Sequence, residues 1–357
     1  MSEHGGNVLE MALKIGVNAD EIIDFSANIN PLGMPASLKA AIASQLGRAE
    51  HYPDVEYRDL HAALARAHGC SPEHIMAGNG ATELIYAVVQ YLQPRRALLL
   101  TPGFAEYRRA LQRMGCAIDD YAMSAKDGFQ PDVRLLAALD KTRYDCLFIA
   151  TPNNPTGLMP DSALLQAIVE RCHQRNTALI VDEAFIDFLP DVPGLIPQLT
   201  TFPQLYILRS LTKFFAIPGL RLGYLVSADR RAIRTMKQSR EPWTINAFAA
   251  LAGETMLDDA PYIAATHRWL AEAQQWLYRE LSAMPELQVW QPAANYIFLH
   301  CLRPEIPLQQ ALLAHRLLIR ACANYPGLTA NHYRVAIKSA ADNQRLIAAL
   351  HQVFGHG

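Results

Sequence analysis

The sequence predicts an α/β protein with a large domain around a mostly parallel sheet, followed by a smaller α+β domain. Three observations carry this. Short apolar runs (ALLLT, CLFIA, ALIVD, LYILRS and RLGYLVS) recur between residues 97 and 227, as strands buried on both faces do. Helical patterns alternate with them, among them DSALLQAIVERCHQRN, which puts Leu164, Leu165, Ile168, Val169 and Cys172 on one face with Asp161 as its cap. Beyond REPWTIN (240–246) the pattern changes to a long helix over 260–284, strands at LQVW and ANYIFLHC, a helix, and a strand at YRVAIKS.

With 357 residues the chain exceeds a typical single core. We divide it into an N-terminal arm that also feeds the small domain (1–40), the large domain (41–241) and the C-terminal small domain (242–357). Hydrophobic residues make up 51% and charged residues 18%, enough apolar material for a sizeable core. A net charge of -2 with no like-charge block argues against a nucleic-acid partner. No 18-residue apolar run is present, so no membrane span is expected, and six scattered cysteines without a CxxC pair read as reduced buried thiols. The expected location is the cytoplasm.

In chain order, a helix over Val8–Ile15 precedes the turn-rich DFSANINPLGMP. His4, Gly5, Gly6 and Asn7 form a small polar cluster that, taken alone, reads as tail. An alanine-rich helix ends at residue 68. In HIMAGNGATELIYAVVQYL a strand then meets Gly78, Asn79, Gly80, Ala81 and Thr82 and opens into a helix, whose free N–H groups suit an anion. Such turns often exist only for packing, so this motif is weak by itself.

The polar residues gather at strand ends, where ligands of parallel sheets bind. TPNNPTG follows CLFIA and DEAF follows ALIV, which brings Asn154 and Asp182 to neighbouring strand ends. An acidic residue ending an apolar strand is costly unless a cation faces it, although it can also cap the next turn. The stretch SLTKFFAIPGLRLGY adds Lys213 among Phe214, Phe215 and Ile217, with Arg221 as a second cation. A lysine amine condenses with an aldehyde only when part of it is unprotonated, and an apolar setting beside another cation favours that state. Arg221 with the Ser210 and Thr212 hydroxyls matches a phosphate. A lone lysine near such groups is more often a solvated loop. Together with Asp182, it points to pyridoxal phosphate.

The ordered set GNGATE, TPNNPTG, DEAF and SLTKFFAIPGLRLG resembles the fold type I pyridoxal phosphate enzymes over nearly the whole chain. The resemblance implies a seven-stranded, mostly parallel sheet in the large domain. It implies that Lys213 is the lysine bonded to the cofactor aldehyde, that Asp182 pairs with the pyridine nitrogen, and that Asn154 bonds the ring oxygen. Gly80, Ala81, Thr82, Ser210, Thr212 and Arg221 would hold the phosphate, and Phe104 would stack on the ring. Tyr52 of HYPD matches a tyrosine lent to the neighbouring subunit's phosphate, which implies a homodimer with shared sites. Arg334 and Arg320 match residues for the substrate's carboxylate and distal phosphate. Where many relatives read DEAY this chain has DEAF, so Phe185 cannot offer a phenol to the ring oxygen. Gly103 stands where threonine is frequent.

Two branches are most similar, the histidinol-phosphate aminotransferases and the threonine-phosphate decarboxylases of cobalamin biosynthesis. The opening HGGN, DFSANINPLGMP and LIRACANYPGL look most like the second. That likeness implies decarboxylation of L-threonine O-3-phosphate to (R)-1-amino-2-propanol O-2-phosphate, with His4, Gly5, Asn28, Asn154, Arg320 and Arg334 at the substrate, and it reverses the reading of His4 as tail. No metal is expected.

Overall fold

The computed structural model describes residues 5–356. Strand β1 (Ile23–Asp24) comes first. Then follow β2 (Ile75–Asn79), β3 (Arg96–Thr101), β4 (Ala117–Ala122), β5 (Cys146–Ala150), β6 (Ala178–Asp182), β7 (Leu205–Ser210) and β8 (Leu222–Val226). The C-terminal part supplies β9 (Leu287–Val289), β10 (Tyr296–Cys301), β11 (Leu317–Leu318), β12 (Arg320–Ala321) and β13 (His332–Ala336).

Strands β2 to β8 form one seven-stranded sheet in the order β2-β8-β7-β6-β5-β3-β4. All pairings are parallel except those of β8, which runs antiparallel to both β2 and β7. Every residue of β5, β6, β7 and β8 is buried, as a sheet covered by helices on both faces requires. The second sheet, β12-β13-β10-β9, has four strands, and β1 pairs in parallel with β11.

The predicted helices form for the reasons their sequences give. The helix Ser162–Arg175 starts where the Asp161 carboxylate accepts the Leu164 N–H at 3.0 Å and buries Ile168, Val169 and Cys172. The long helix runs Ala260–Ser282, two residues shorter than expected, and Pro285 disfavours helical backbone at Met284 just before it. The edge strand β4 was not foreseen. Its sequence AIDDYA carries two aspartates, and none of its residues is buried, so it has no apolar signature.

One arginine of the sheet joins two carboxylates in a buried ion cluster. Arg209 of β7 donates from Nε to Glu183 and from Nη1 to Asp187, each at 2.7 Å, with side-chain exposures of 5% for Arg209 and 1% for Glu183. Removing one member of such a group strands a charge in the interior. The Arg209→Leu variant should lose about 3–5 kcal/mol of stability, read as a lower urea midpoint. Arg134→Leu, which breaks the exposed pairs to Asp127 and Asp132, should leave that midpoint unmoved.

Candidate active site

The carboxyl ends of β5, β6 and β7 open into one cavity lined by Ala81, Thr82, Phe104, Tyr107, Asn154, Asp182, Phe185, Ser210, Thr212, Lys213 and Arg221. The four residues after β7 form one helical turn, Leu211–Phe214. This turn aims Lys213 back toward the strand end, where its Nζ donates to Ser210 Oγ at 2.9 Å. Burial pulls the Lys213 amine down to about 8, with Arg221 and Arg334 pushing the same way and Asp182 opposing. The amine is thus partly neutral, and nucleophilic, close to neutral pH.

Asp182 is 8% exposed at the end of β6. Its Oδ2 accepts the Tyr107 hydroxyl at 2.6 Å and its Oδ1 accepts the Ala184 N–H at 3.0 Å. Burial raises its pKa, against the pull of Tyr107, Lys213 and the Ala184 amide. A carboxylate so placed is a strong partner for a cationic ring N–H. Tyr107 stacks on Phe148 at 4.9 Å and meets Phe104 edge-on at 5.6 Å, so an aromatic wall stands at one side of the cavity.

The phosphate end is a cradle with no room for a side chain. Gly80 opens the helix Gly80–Leu92 at φ +78, and a Cβ there would come within 2.5 Å of Arg221 Nη2. A guanidinium is therefore pressed against the positive end of a helix, an arrangement that an anion relieves. The Ser210 and Thr212 hydroxyls, 2.8 Å apart, lie beside it. Cradle, hydroxyls, carboxylate and lysine together fit pyridoxal phosphate.

A second cationic cluster adjoins the first. Arg320 on β12 and Arg334 on β13 stand directly opposite each other, both 6% exposed. Like charges in register are unfavourable unless an anion lies between or beside them. Arg334 donates from Nη1 to Asn154 Oδ1 at 2.7 Å and from Nη2 to the Ser26 carbonyl at 2.8 Å, while its buried Nε has no partner. Arg320 reaches Asn324 Oδ1 at 2.9 Å and lies 5.7 Å from the centre of the Tyr325 ring. Tyr325 also donates to Asn154 Oδ1, at 3.3 Å. With its oxygen taken twice, Asn154 has its amide N–H group left for the cavity, as a bond to a ring oxygen would need.

The sequence-derived residues are thus mostly gathered, with three exceptions. Asn28 is buried with an unpartnered Oδ1, and its carbonyl accepts from Asn295 at 2.9 Å. Tyr52 lies outside the chain's own cavity, 80% exposed, its ring 4.5 Å from that of Trp243. His4 lies outside the described residues; its neighbour Gly5 rests on the Ser26 carbonyl, where a Cβ would collide. At Gly103 a Cβ would stand 2.6 Å from the Leu100 carbonyl, so this backbone path requires glycine.

Sequence reading missed Tyr107, Tyr325, Asn295 and Ser26. Only Tyr107 left a trace, lying one helical turn beyond Phe104.

The chain belongs to the aminotransferase class I and II family, whose model matches residues 20–350. A threonine-phosphate decarboxylase from Salmonella typhimurium is 53% identical over 352 residues, covering 99% of this chain and 96% of the relative. Among solved structures, the histidinol-phosphate aminotransferase of Clostridium acetobutylicum superposes with a TM-score of 0.87 at 28% identity, covering 93% of this chain and 99% of that one. The L-threonine-O-3-phosphate decarboxylase of Porphyromonas gingivalis does so with a TM-score of 0.82 at 22% identity, covering 93% and 99%, and shares the fold.

In the protein free of cofactor, acetic anhydride labelling of Lys213 should rise with pH through about 8 and level off above it, as the amine loses its proton. Arg221→Leu removes a cation and should move that midpoint up. Asp182→Asn removes the opposing anion and should move it down. Mass spectrometry across a pH series reads all three.

Proposed function

We propose that this chain is a pyridoxal phosphate-dependent decarboxylase that converts L-threonine O-3-phosphate to (R)-1-amino-2-propanol O-2-phosphate and carbon dioxide in cobalamin biosynthesis. The 53% identity to a threonine-phosphate decarboxylase, across 99% of the chain, carries this reading. The site chemistry supports it, because a substrate with both a carboxylate and a phosphate meets the facing pair Arg320 and Arg334.

Lys213, Asp182, Asn154, Phe104, Gly80, Ala81, Thr82, Ser210, Thr212 and Arg221 would hold the cofactor. When bound, pyridoxal phosphate supplies an electron-accepting ring conjugated to the substrate nitrogen, which takes up the electron pair of the bond being broken. Asp182, buried at the end of β6, would keep the ring nitrogen protonated by offering it a carboxylate. Arg320 and Arg334 would grip the anionic groups and hold the Cα–carboxylate bond in the direction that breaks. Lys213 Nζ, with a pKa of about 8, can carry the proton that replaces the carboxylate at Cα.

The exposed Tyr52 supports a homodimer in which each chain completes its neighbour's phosphate site. Six free cysteines, five of them buried, support a cytoplasmic location. Among the described residues no helix is long and apolar enough to cross a membrane. The division at residues 40 and 241 belongs to the same reading.

The test is to mix cofactor-loaded protein with L-threonine O-3-phosphate and no oxo acid, and to follow carbon dioxide. Sustained release is expected, and Lys213→Ala should abolish it. Conversion of the cofactor to its amine form by histidinol phosphate, with no carbon dioxide from the threonine ester, would instead make the chain an aminotransferase.

A further inference from the structure

Ser26 is 1% exposed and occupies all of its polar atoms, although it does not line the cofactor cavity. Its N–H and its hydroxyl both donate to Asp24 Oδ1, at 2.7 and 2.6 Å. A hydroxyl has a single proton, and here Asp24 takes it, so Oγ can only accept from any other partner. What it accepts is the Gly6 N–H, at 2.8 Å. The Ser26 carbonyl in turn accepts from Arg334 Nη2 at 2.8 Å. One residue therefore joins the amino-terminal segment to the arginine of the substrate cluster.

Its neighbours make the joint stiff. The Phe25 N–H donates to the Leu318 carbonyl and the Phe25 carbonyl accepts the Ala336 N–H, both at 2.8 Å, so residue 25 is pinned between β11 and the end of β13. Gly5 lies against the same Ser26 carbonyl that Arg334 holds, and a Cβ there would also stand 3.3 Å from Ser26 Oγ. The segment can approach this closely only because residue 5 has no side chain. Gly6 adopts φ +84, which glycine reaches without strain.

Resting on the decarboxylase reading, we infer that Ser26 is a positioning residue that latches the Gly5–Asn7 segment onto Arg334, so that seating of this segment and grip on the anionic substrate are coupled. The bond from Gly6 fixes the strap, and the bond to Arg334 fixes the guanidinium. Loosening the first lets the Ser26 peptide turn and moves the acceptor of the second.

The test compares Ser26→Ala, Ser26→Thr and Gly5→Ala in the cofactor-loaded enzyme. Ser26→Ala should speed hydrogen exchange of the Gly6 amide and raise KM for L-threonine O-3-phosphate about fivefold, as loss of one buried hydrogen bond implies. Its kcat should stay within about twofold and the cofactor absorbance should not change, because the latch acts on substrate binding alone. Ser26→Thr keeps the hydroxyl and should restore both values. Gly5→Ala should reproduce the KM rise with Ser26 intact. Unchanged Gly6 exchange in Ser26→Ala overturns the latch, as does faster exchange with an unaltered KM, or a parallel fall in kcat and cofactor absorbance. The exchange arm needs no substrate, so it separates failure of the latch from failure of the decarboxylase reading, which a wild-type enzyme releasing no carbon dioxide would refute.

Discussion

The site depends on an excess of positive charge, most of it buried, over one carboxylate. Lys213, Arg221, Arg320 and Arg334 converge with a helix amino terminus, and Asp182 alone among the cavity-lining residues is anionic. Burial makes the charges of Lys213, Arg320, Arg334 and Asp182 expensive, and repulsion among the cations, the exposed Arg221 included, adds to the cost. The protein answers in two ways. It lets the Lys213 amine lose its proton readily, and it gives Arg334 neutral acceptors, Asn154 and the Ser26 carbonyl, in place of a carboxylate. A carboxylate there would have satisfied the arginine and removed its attraction for an anion. Anionic ligands are therefore what complete the electrostatics, and the same imbalance draws them in.

Phe185 shows how one missing hydroxyl spreads through its surroundings. Its ring lies 5.7 Å from Lys213 Nζ and meets Tyr296 edge-on at 4.9 Å. Tyr296 is fully buried, but its hydroxyl donates to the Asn153 carbonyl at 2.8 Å and so does not stand in for the absent phenol. The face of the amine toward Phe185 is consequently apolar, which adds to the desolvation that lowers the amine's pKa. The substitution and the amine's near-neutral titration are thus parts of one local arrangement.

Much of this was legible in the chain. Strands β5 to β8 are apolar runs bounded by polar strand ends, and those ends carry Asn154, Asp182 and Ser210, so sheet and cofactor site announce themselves together. Strand β4 hid because an edge can be polar, and β1 with β11 hid because two residues are too short for a period. Tyr107, Tyr325 and Ser26 hid for a different reason. Each acts through a partner distant in sequence, as Tyr107 does with Asp182 and Tyr325 with Asn154, and local pattern holds no record of such pairings. Gly103 and Gly5 likewise declare their purpose only when the carbonyl they approach is known.

The reversed direction of β8 has a consequence for how this chain can change. Residues 211–221 leave the sheet at Ser210 and return at Leu222, with Ser210 paired to Gly223 across the two strands. Both ends of the loop are thus clamped at one rung of the sheet, and the loop's length sets the separation of Lys213 and Arg221. A one-residue insertion would have to be absorbed between Lys213 and Arg221, which line the same cavity. Surface loops elsewhere can drift in length, whereas this one is a ruler cut to its ligand.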